Sequence, residues 1–129
     1  MKAKIKIVIL DGNRIFRLGL KKILTDEEID MVGEAADGQA AIEGVLATDP
    51  DVTLMDVSMP VIDGLQAARR ILASGSQTKI LMLSIHDSKN VLSQVVDSGA
   101  RGFVLKSDAA RDLIAAVEAI WAEDRKSVV

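Results

Sequence analysis

The sequence predicts an α/β domain built on a five-stranded parallel sheet. Five short apolar runs alternate with five longer segments of helical period, and several runs are β-branched and almost continuously apolar, as strands buried on both faces are. The first run is Ile5-Lys6-Ile7-Val8-Ile9-Leu10, followed by a helical stretch carrying Ile15, Leu18, Leu20, Ile23 and Leu24. The second pair is Met31-Val32-Gly33-Glu34-Ala35 with Ala40, Ala41, Val45 and Leu46, and the third is Val52-Thr53-Leu54-Met55 with Leu65, Ala68, Ile71 and Leu72. Ile80-Leu81-Met82-Leu83 precedes Val91, Leu92, Val95 and Val96; Gly102-Phe103-Val104-Leu105 precedes Leu113, Ile114, Val117, Ile120 and Trp121. Such alternation with short connections implies right-handed crossovers and helices on both faces, a flavodoxin-like doubly wound (βα)5 layout. Asp37-Gly38 and Asp63-Gly64 mark helix starts, Gly99 and Gly102 bracket the turn into the fifth strand, and Pro50 and Pro60 fall in connections. The residues from Ala122 onward turn polar and carry no further periodic segment.

A chain of 129 residues fits one domain, and 49% apolar with 27% charged residues supplies a core. The formal charge of −3, with no basic cluster, disfavours nucleic-acid binding by this segment. The absence of cysteine excludes disulfides, thiolate metal sites and Cys nucleophiles, and His86 is the sole imidazole. The apolar run behind the basic N-terminus is far too short for a signal peptide or a membrane span, so a cytoplasmic protein without membrane contact is expected.

In open α/β sheets the working crevice lies at the carboxyl ends of the strands. There the sequence delivers Asp11 after the first strand, Asp56 after the third, Ser84 after the fourth and Lys106 after the fifth. Two carboxylates, a hydroxyl and an ammonium in one small pocket suit a hard cation such as Mg2+, and they suit formation of an aspartyl phosphate. Taken singly, an Asp or Ser at a strand end is more often a turn former or helix cap, and a Lys there a solvated charge. Four of them at four strand ends shift that balance. His86 reads as an exposed loop residue, and Ile120 and Trp121 as helix packing. Arg14, Arg17, Lys21 and Lys22 read as the solvated face of the first helix, and Thr25-Asp26-Glu27-Glu28 as a solvated loop.

The stretches Ile7 to Asp11, Leu54-Met55-Asp56-Val57-Ser58-Met59-Pro60 through Asp63-Gly64, Ile80 to Ser84, and Gly99 to Asp108 resemble the receiver domain of two-component response regulators. Within that family they resemble the NarL/FixJ (LuxR-type) transcription regulators. The resemblance implies a CheY-like fold, Asp56 as acceptor of a phosphoryl group from a histidine kinase, and Mg2+ held by Asp11, Asp56 and the carbonyl of Ser58. It implies further that Ser84 and Lys106 contact the phosphoryl group and that Phe103 is the switch aromatic. Residues 1–125 would form the receiver and 126–129 the start of a linker to a helix-turn-helix output domain absent from this chain. DNA would be reached only through that domain, and a homodimer is a further expected partner.

One residue departs from the family pattern. Receivers carry two adjacent acids after the first strand, whereas this chain reads Asp11-Gly12, which lowers the expected affinity for Mg2+. The alternative is therefore a receiver-like interaction module that works without phosphate. Flavin binding and phosphatase chemistry on the same fold are disfavoured. Asp11-Gly12-Asn13-Arg14 is no phosphate cradle, and no second Asp follows two residues after Asp56, so a non-enzymatic switch is the leading expectation.

Overall fold

The computed structural model describes residues 4–26 and 28–126. The chain runs β1 (Ile5–Leu10), α1 (Arg14–Ile23), β2 (Ile29–Ala35), α2 (Gly38–Thr48), β3 (Val52–Asp56), α3 (Gly64–Ala73), β4 (Lys79–Ser84), α4 (Lys89–Asp97), β5 (Gly102–Leu105), a 3-10 turn (Lys106–Asp108) and α5 (Ala109–Lys126). All strand pairs are parallel and their order is β2-β1-β3-β4-β5. The (βα)5 expectation holds throughout. Strand bounds differ by a residue or two, because pairing with a neighbour extends β2 back to Ile29 and carries β3 through Asp56.

The double winding splits the core in two. Ile7, Ile9, Leu54, Leu81, Leu83 and Val104 face α1 and α5, where Leu20, Leu113 and Val117 meet them. Val8, Leu10, Met55, Ile80 and Met82 face the other side, against Ala41, Val45, Leu65, Ala68, Ile71 and Val95. This period of two explains why the central strands read as unbroken apolar runs in sequence.

The polar tail behaves differently from its sequence pattern. α5 continues to Lys126, because helical hydrogen bonding runs on after the apolar stripe ends at Trp121, which packs partly buried against the α1/α5 core. Lys126, expected as the first residue of a linker, is thus the last described residue of α5. Residues 127–129, Glu27 of the acidic loop and the basic start at residues 1–3 lie outside the described residues.

Helix starts follow the predicted punctuation. The carboxylates of Asp37 and Asp63 accept hydrogen bonds from the amides of Ala40 and Gln66 at 2.9 and 2.8 Å, capping α2 and α3. The glycine after each cap is needed for space: a Cβ on Gly38 would stand 1.9 Å from the Ile62 carbonyl oxygen, and one on Gly64 1.8 Å from that of Asp56. Both close approaches press the β3–α3 loop against Asp56. Gly64→Ala is expected to destabilise the domain by about 3 kcal/mol, as overpacking against backbone does. Urea unfolding checks this, and an unchanged midpoint would show that α3 can retreat freely.

Candidate functional site

The strand order reverses between β1 and β3, so the crevice at their carboxyl ends is the switch point of the sheet. Register then fixes which residues meet there. Leu10 pairs with Met55, which sets Asp11 beside Asp56; Asp56 pairs with Leu83, and Ser84 with Leu105, one residue before Lys106.

Three of the four predicted residues form one ion cluster. The Lys106 ammonium lies 2.6 Å from Asp11 Oδ2 and donates to Asp56 Oδ2 at 3.0 Å. Asp11 is fully buried and Asp56 nearly so. The second oxygen of each carboxylate takes a backbone amide, Asp11 Oδ1 from Asn13 at 2.8 Å and Asp56 Oδ1 from Ser58 at 3.1 Å. Burial holds the Asp56 carboxyl above its ordinary value; the bonds from Lys106 and Ser58 pull it back down, and the Asp11 charge adds to the rise. Burial works against the Lys106 ammonium too, but its hydrogen bonds to Asp11 and Asp56 outweigh that and raise its pKa.

Ser84 and Phe103 stand apart from this cluster. Ser84 is buried at the end of β4, and its Oγ accepts the His86 amide at 3.0 Å. Alternation places Ser84 on the face opposite Leu81 and Leu83, the face against which Phe103 also packs. Phe103 lines a groove of about 400 Å³ with Leu92 and Ala116, between α4 and α5. Exposed His86 fits its reading as a loop residue.

Two residues of α1 reach the site that the sequence did not single out. The Phe16 ring centroid lies 4.5 Å from Lys106 Nζ, a cation–π contact. Arg17 was expected on the solvated face, and it is not there: its side chain is 13% exposed, donating to the Asp11 carbonyl at 2.5 Å and to Glu34 Oε1 at 3.0 Å. Lys21 pairs with the other oxygen of Glu34 and, with Arg17, lowers the Glu34 pKa. The long stems of Arg17 and Lys21 fold back onto β2, a reach that helical periodicity does not report. Arg14 and Lys22 are exposed as expected.

Among the described residues no three acidic, histidine or cysteine side chains gather into a ready cage for a metal. Asp11 Oδ2 is buried with the Lys106 ammonium as its charged neighbour, so a hard cation beside Asp56 would share that oxygen with the ammonium or displace it. Mg2+ takes one or two carboxylates and keeps several waters, which this pair fits. Gly12 adds no third carboxylate, and a Cβ there would stand 3.3 Å from both the Ala36 carbonyl oxygen and Pro60 Cδ.

Comparison with known proteins agrees with this geometry. The family model for the response regulator receiver domain matches residues 7–118. This chain belongs to that family. Among relatives of this receiver, the transcriptional regulatory protein DegU of Brevibacillus brevis is 42% identical over 118 residues, 91% of the chain and 50% of DegU. The signal receiver domain of NarL from Mycobacterium tuberculosis superposes with a TM-score of 0.87 at 35% identity, covering 92% of this chain and 96% of that one. The isolated receiver domain of RcsB from Salmonella enterica serovar Typhimurium, solved in the presence of the phosphomimetic BeF3−, gives 0.84 at 30% identity over 92% and 89% of the two chains. The receiver is thus of the NarL/FixJ type found in LuxR-family response regulators of two-component signalling and transcription regulation. It spans about half the length of the curated relatives it matches. Among the described residues, no helix is long and apolar enough to cross a membrane.

Val61, in the loop between Asp56 and α3, is 82% exposed and holds φ at +71°. A β-branched residue there is strained, so Val61→Gly is expected to stabilise the receiver by about 1 kcal/mol, read from thermal unfolding. A loss of stability would mean that Val61 makes contacts worth more than its strain. The raised Asp56 pKa makes a second prediction. A fold that keeps this proton to higher pH than the unfolded chain loses stability as pH rises through that range. Asp56→Asn should therefore raise the urea midpoint at pH 7, with a gain that shrinks as pH falls toward 3.8, the carboxyl's ordinary value. A lower midpoint at pH 7 would show that pairing with Lys106 outweighs burial.

Proposed function

We propose that this receiver accepts a phosphoryl group on Asp56 from a histidine kinase and that the loaded form presents a changed interaction surface. The observation that supports this is the buried convergence of Asp11, Asp56 and Lys106 at the switch point. In the transfer, an Asp56 carboxylate oxygen attacks phosphorus, the bond from phosphorus to the donor imidazole nitrogen breaks, and that nitrogen keeps the electron pair. Lys106, already 3.0 Å from Asp56, neutralises charge on the transferring oxygens. Ser84 Oγ donates to a phosphoryl oxygen while still accepting the His86 amide, because a hydroxyl does both. Phe103, between that strand end and the α4–α5 groove, then reports the change as the switch aromatic. Asp11, Asp56 and the Ser58 carbonyl would hold Mg2+, which when bound supplies further positive charge beside the same oxygens. With Gly12 in place of a second acid, that binding is weak.

The receiver on this reading comprises residues 1–125 and acts in the cytoplasm as a switch rather than an enzyme. Residues 126–129 lead toward a helix-turn-helix output domain through which DNA is contacted. A second copy of the receiver is a further partner. The RcsB receiver solved with BeF3− supports phosphoryl loading as the relevant chemistry for this type of module.

The test is intact mass after incubation with acetyl phosphate, with and without Mg2+, on the native chain, Asp56→Asn and Gly12→Asp. The native chain is expected to gain one phosphoryl group, Asp56→Asn none, and Gly12→Asp to gain it at lower Mg2+ concentration once Pro60 and the Ala36 carbonyl yield by a few tenths of an ångström. Gain in Asp56→Asn would move the acceptor elsewhere. Gain in Gly12→Asp alone would make the native chain a module that works without phosphate.

A further inference from the structure

We infer that Phe16 is a positioning residue that holds the Lys106 ammonium in place between Asp11 and Asp56. The inference rests on the proposed role of Lys106 in phosphoryl acceptance. An ammonium has three N–H donors, and here one goes to Asp56 Oδ2. A second is directed at Asp11 Oδ2, 2.6 Å away, so the two carboxylates leave one side of the ammonium unassigned. The Phe16 ring supplies the missing wall at 4.5 Å.

Three features make the ring a fixed wall. The Phe16 amide donates to Asn13 Oδ1 at 3.0 Å, so its backbone root belongs to the capped first turn of α1. The ring packs partly buried against the α1/α5 core cluster. The Lys106 side chain is only 14% exposed, and cation–π attraction grows as water is removed. Asn13 also ties the two halves together, since its amide donates to Asp11 Oδ1 while its side chain caps Phe16.

The consequence lies in what Lys106 has to do. On loading, its ammonium must pass from a carboxylate oxygen to a phosphoryl oxygen. A hydrogen-bonding neighbour at the Phe16 position would resist that movement or capture the ammonium. The face of a ring attracts the charge over a broad area and makes no directional demand, so the ammonium can shift while still held. With no acid at position 12, the ring stands in for part of the negative surroundings that a second carboxylate would supply.

The experiment follows the Lys106 ε-methylene by NMR in 13C-lysine-labelled native chain, Phe16→Leu and Phe16→Tyr, and measures acetyl phosphate uptake in the same three proteins. The native ε-protons are expected upfield of the ordinary lysine position through the ring current. The shift should vanish in Phe16→Leu and persist in Phe16→Tyr. Uptake should slow roughly tenfold in Phe16→Leu, in the maximal loading rate rather than in the acetyl phosphate concentration that gives half of it, and be restored in Phe16→Tyr, the size expected of a desolvated cation–π contact. An ordinary ε-proton shift in the native chain overturns the inference, and that reading needs no variant to fold. A shift lost in Phe16→Leu with uptake unchanged overturns the positioning role. Absence of uptake in all three proteins overturns the proposed function instead, leaving the ring-current comparison to decide the placement of Lys106.

Discussion

The ammonium of Lys106 is the cation on which this fold's open end depends. Parallel pairing of β1 with β3 drives two carboxylates into adjacent buried positions, where they repel each other at little solvent screening. An ion cluster of two acids and one ammonium still carries net negative charge, so it is held together by surrounding dipoles as much as by its own attraction. The amides of Asn13 and Ser58 donate into it from two loops. Burial of charge on this scale is poor evidence for stability and better evidence for a site kept ready for a ligand.

The loops around the cluster are fixed by close backbone approach. Gly38 and Gly64 let α2 and α3 start hard against the β3–α3 loop, so that segment carries its strain at exposed Val61 instead of relaxing. On the β1 side, Arg17 reaches from α1 to the Asp11 carbonyl and to Glu34 on β2, while the Asp11 amide donates to the Ala35 carbonyl at 3.1 Å. Asp11 is therefore clamped through its backbone, with its side chain held between the Asn13 amide and Lys106. Pre-organisation of this kind lowers the reorganisation needed when charge develops at the site.

The sheet and the meeting of Asp11, Asp56 and Lys106 were legible in the sequence for a definite reason. Strands buried on both faces leave continuous apolar runs, and the polar residue that ends each run marks the same edge of the sheet. What periodicity cannot carry is the path of a long side chain after it leaves its helix. Arg17 and Phe16 are neighbours on α1; the pattern puts Arg17 on the solvated face and does not single out Phe16. In three dimensions both turn toward the site, one to a carbonyl and the other to an ammonium. The run of α5 to Lys126 rests on backbone hydrogen bonding that a polar composition does not announce.

The separation of Ser84 from the ion cluster bears on how a signal leaves the site. Lys106 meets Phe16 of α1 above the cluster, whereas Phe103 packs with the α3/α4 core and alternation along β4 puts Ser84 on that same face. A phosphoryl group on Asp56 adds oxygens at the strand ends, beyond the pleat, where side chains of both faces can reach it. On the proposed function its differential contact would be with Ser84, whose Oγ in this structure accepts the His86 amide. Because Ser84 Oγ also holds the His86 amide, any movement of that hydroxyl is a movement of the loop leading into α4. Exposed Ile85 and Val96 lie in and beyond that loop, and the Phe103 groove opens beside it. A ligand shifts an equilibrium only through contacts that differ between its two states. On the proposed function the contact that differs would be the one with Ser84, so the α4 side is where loading would be read.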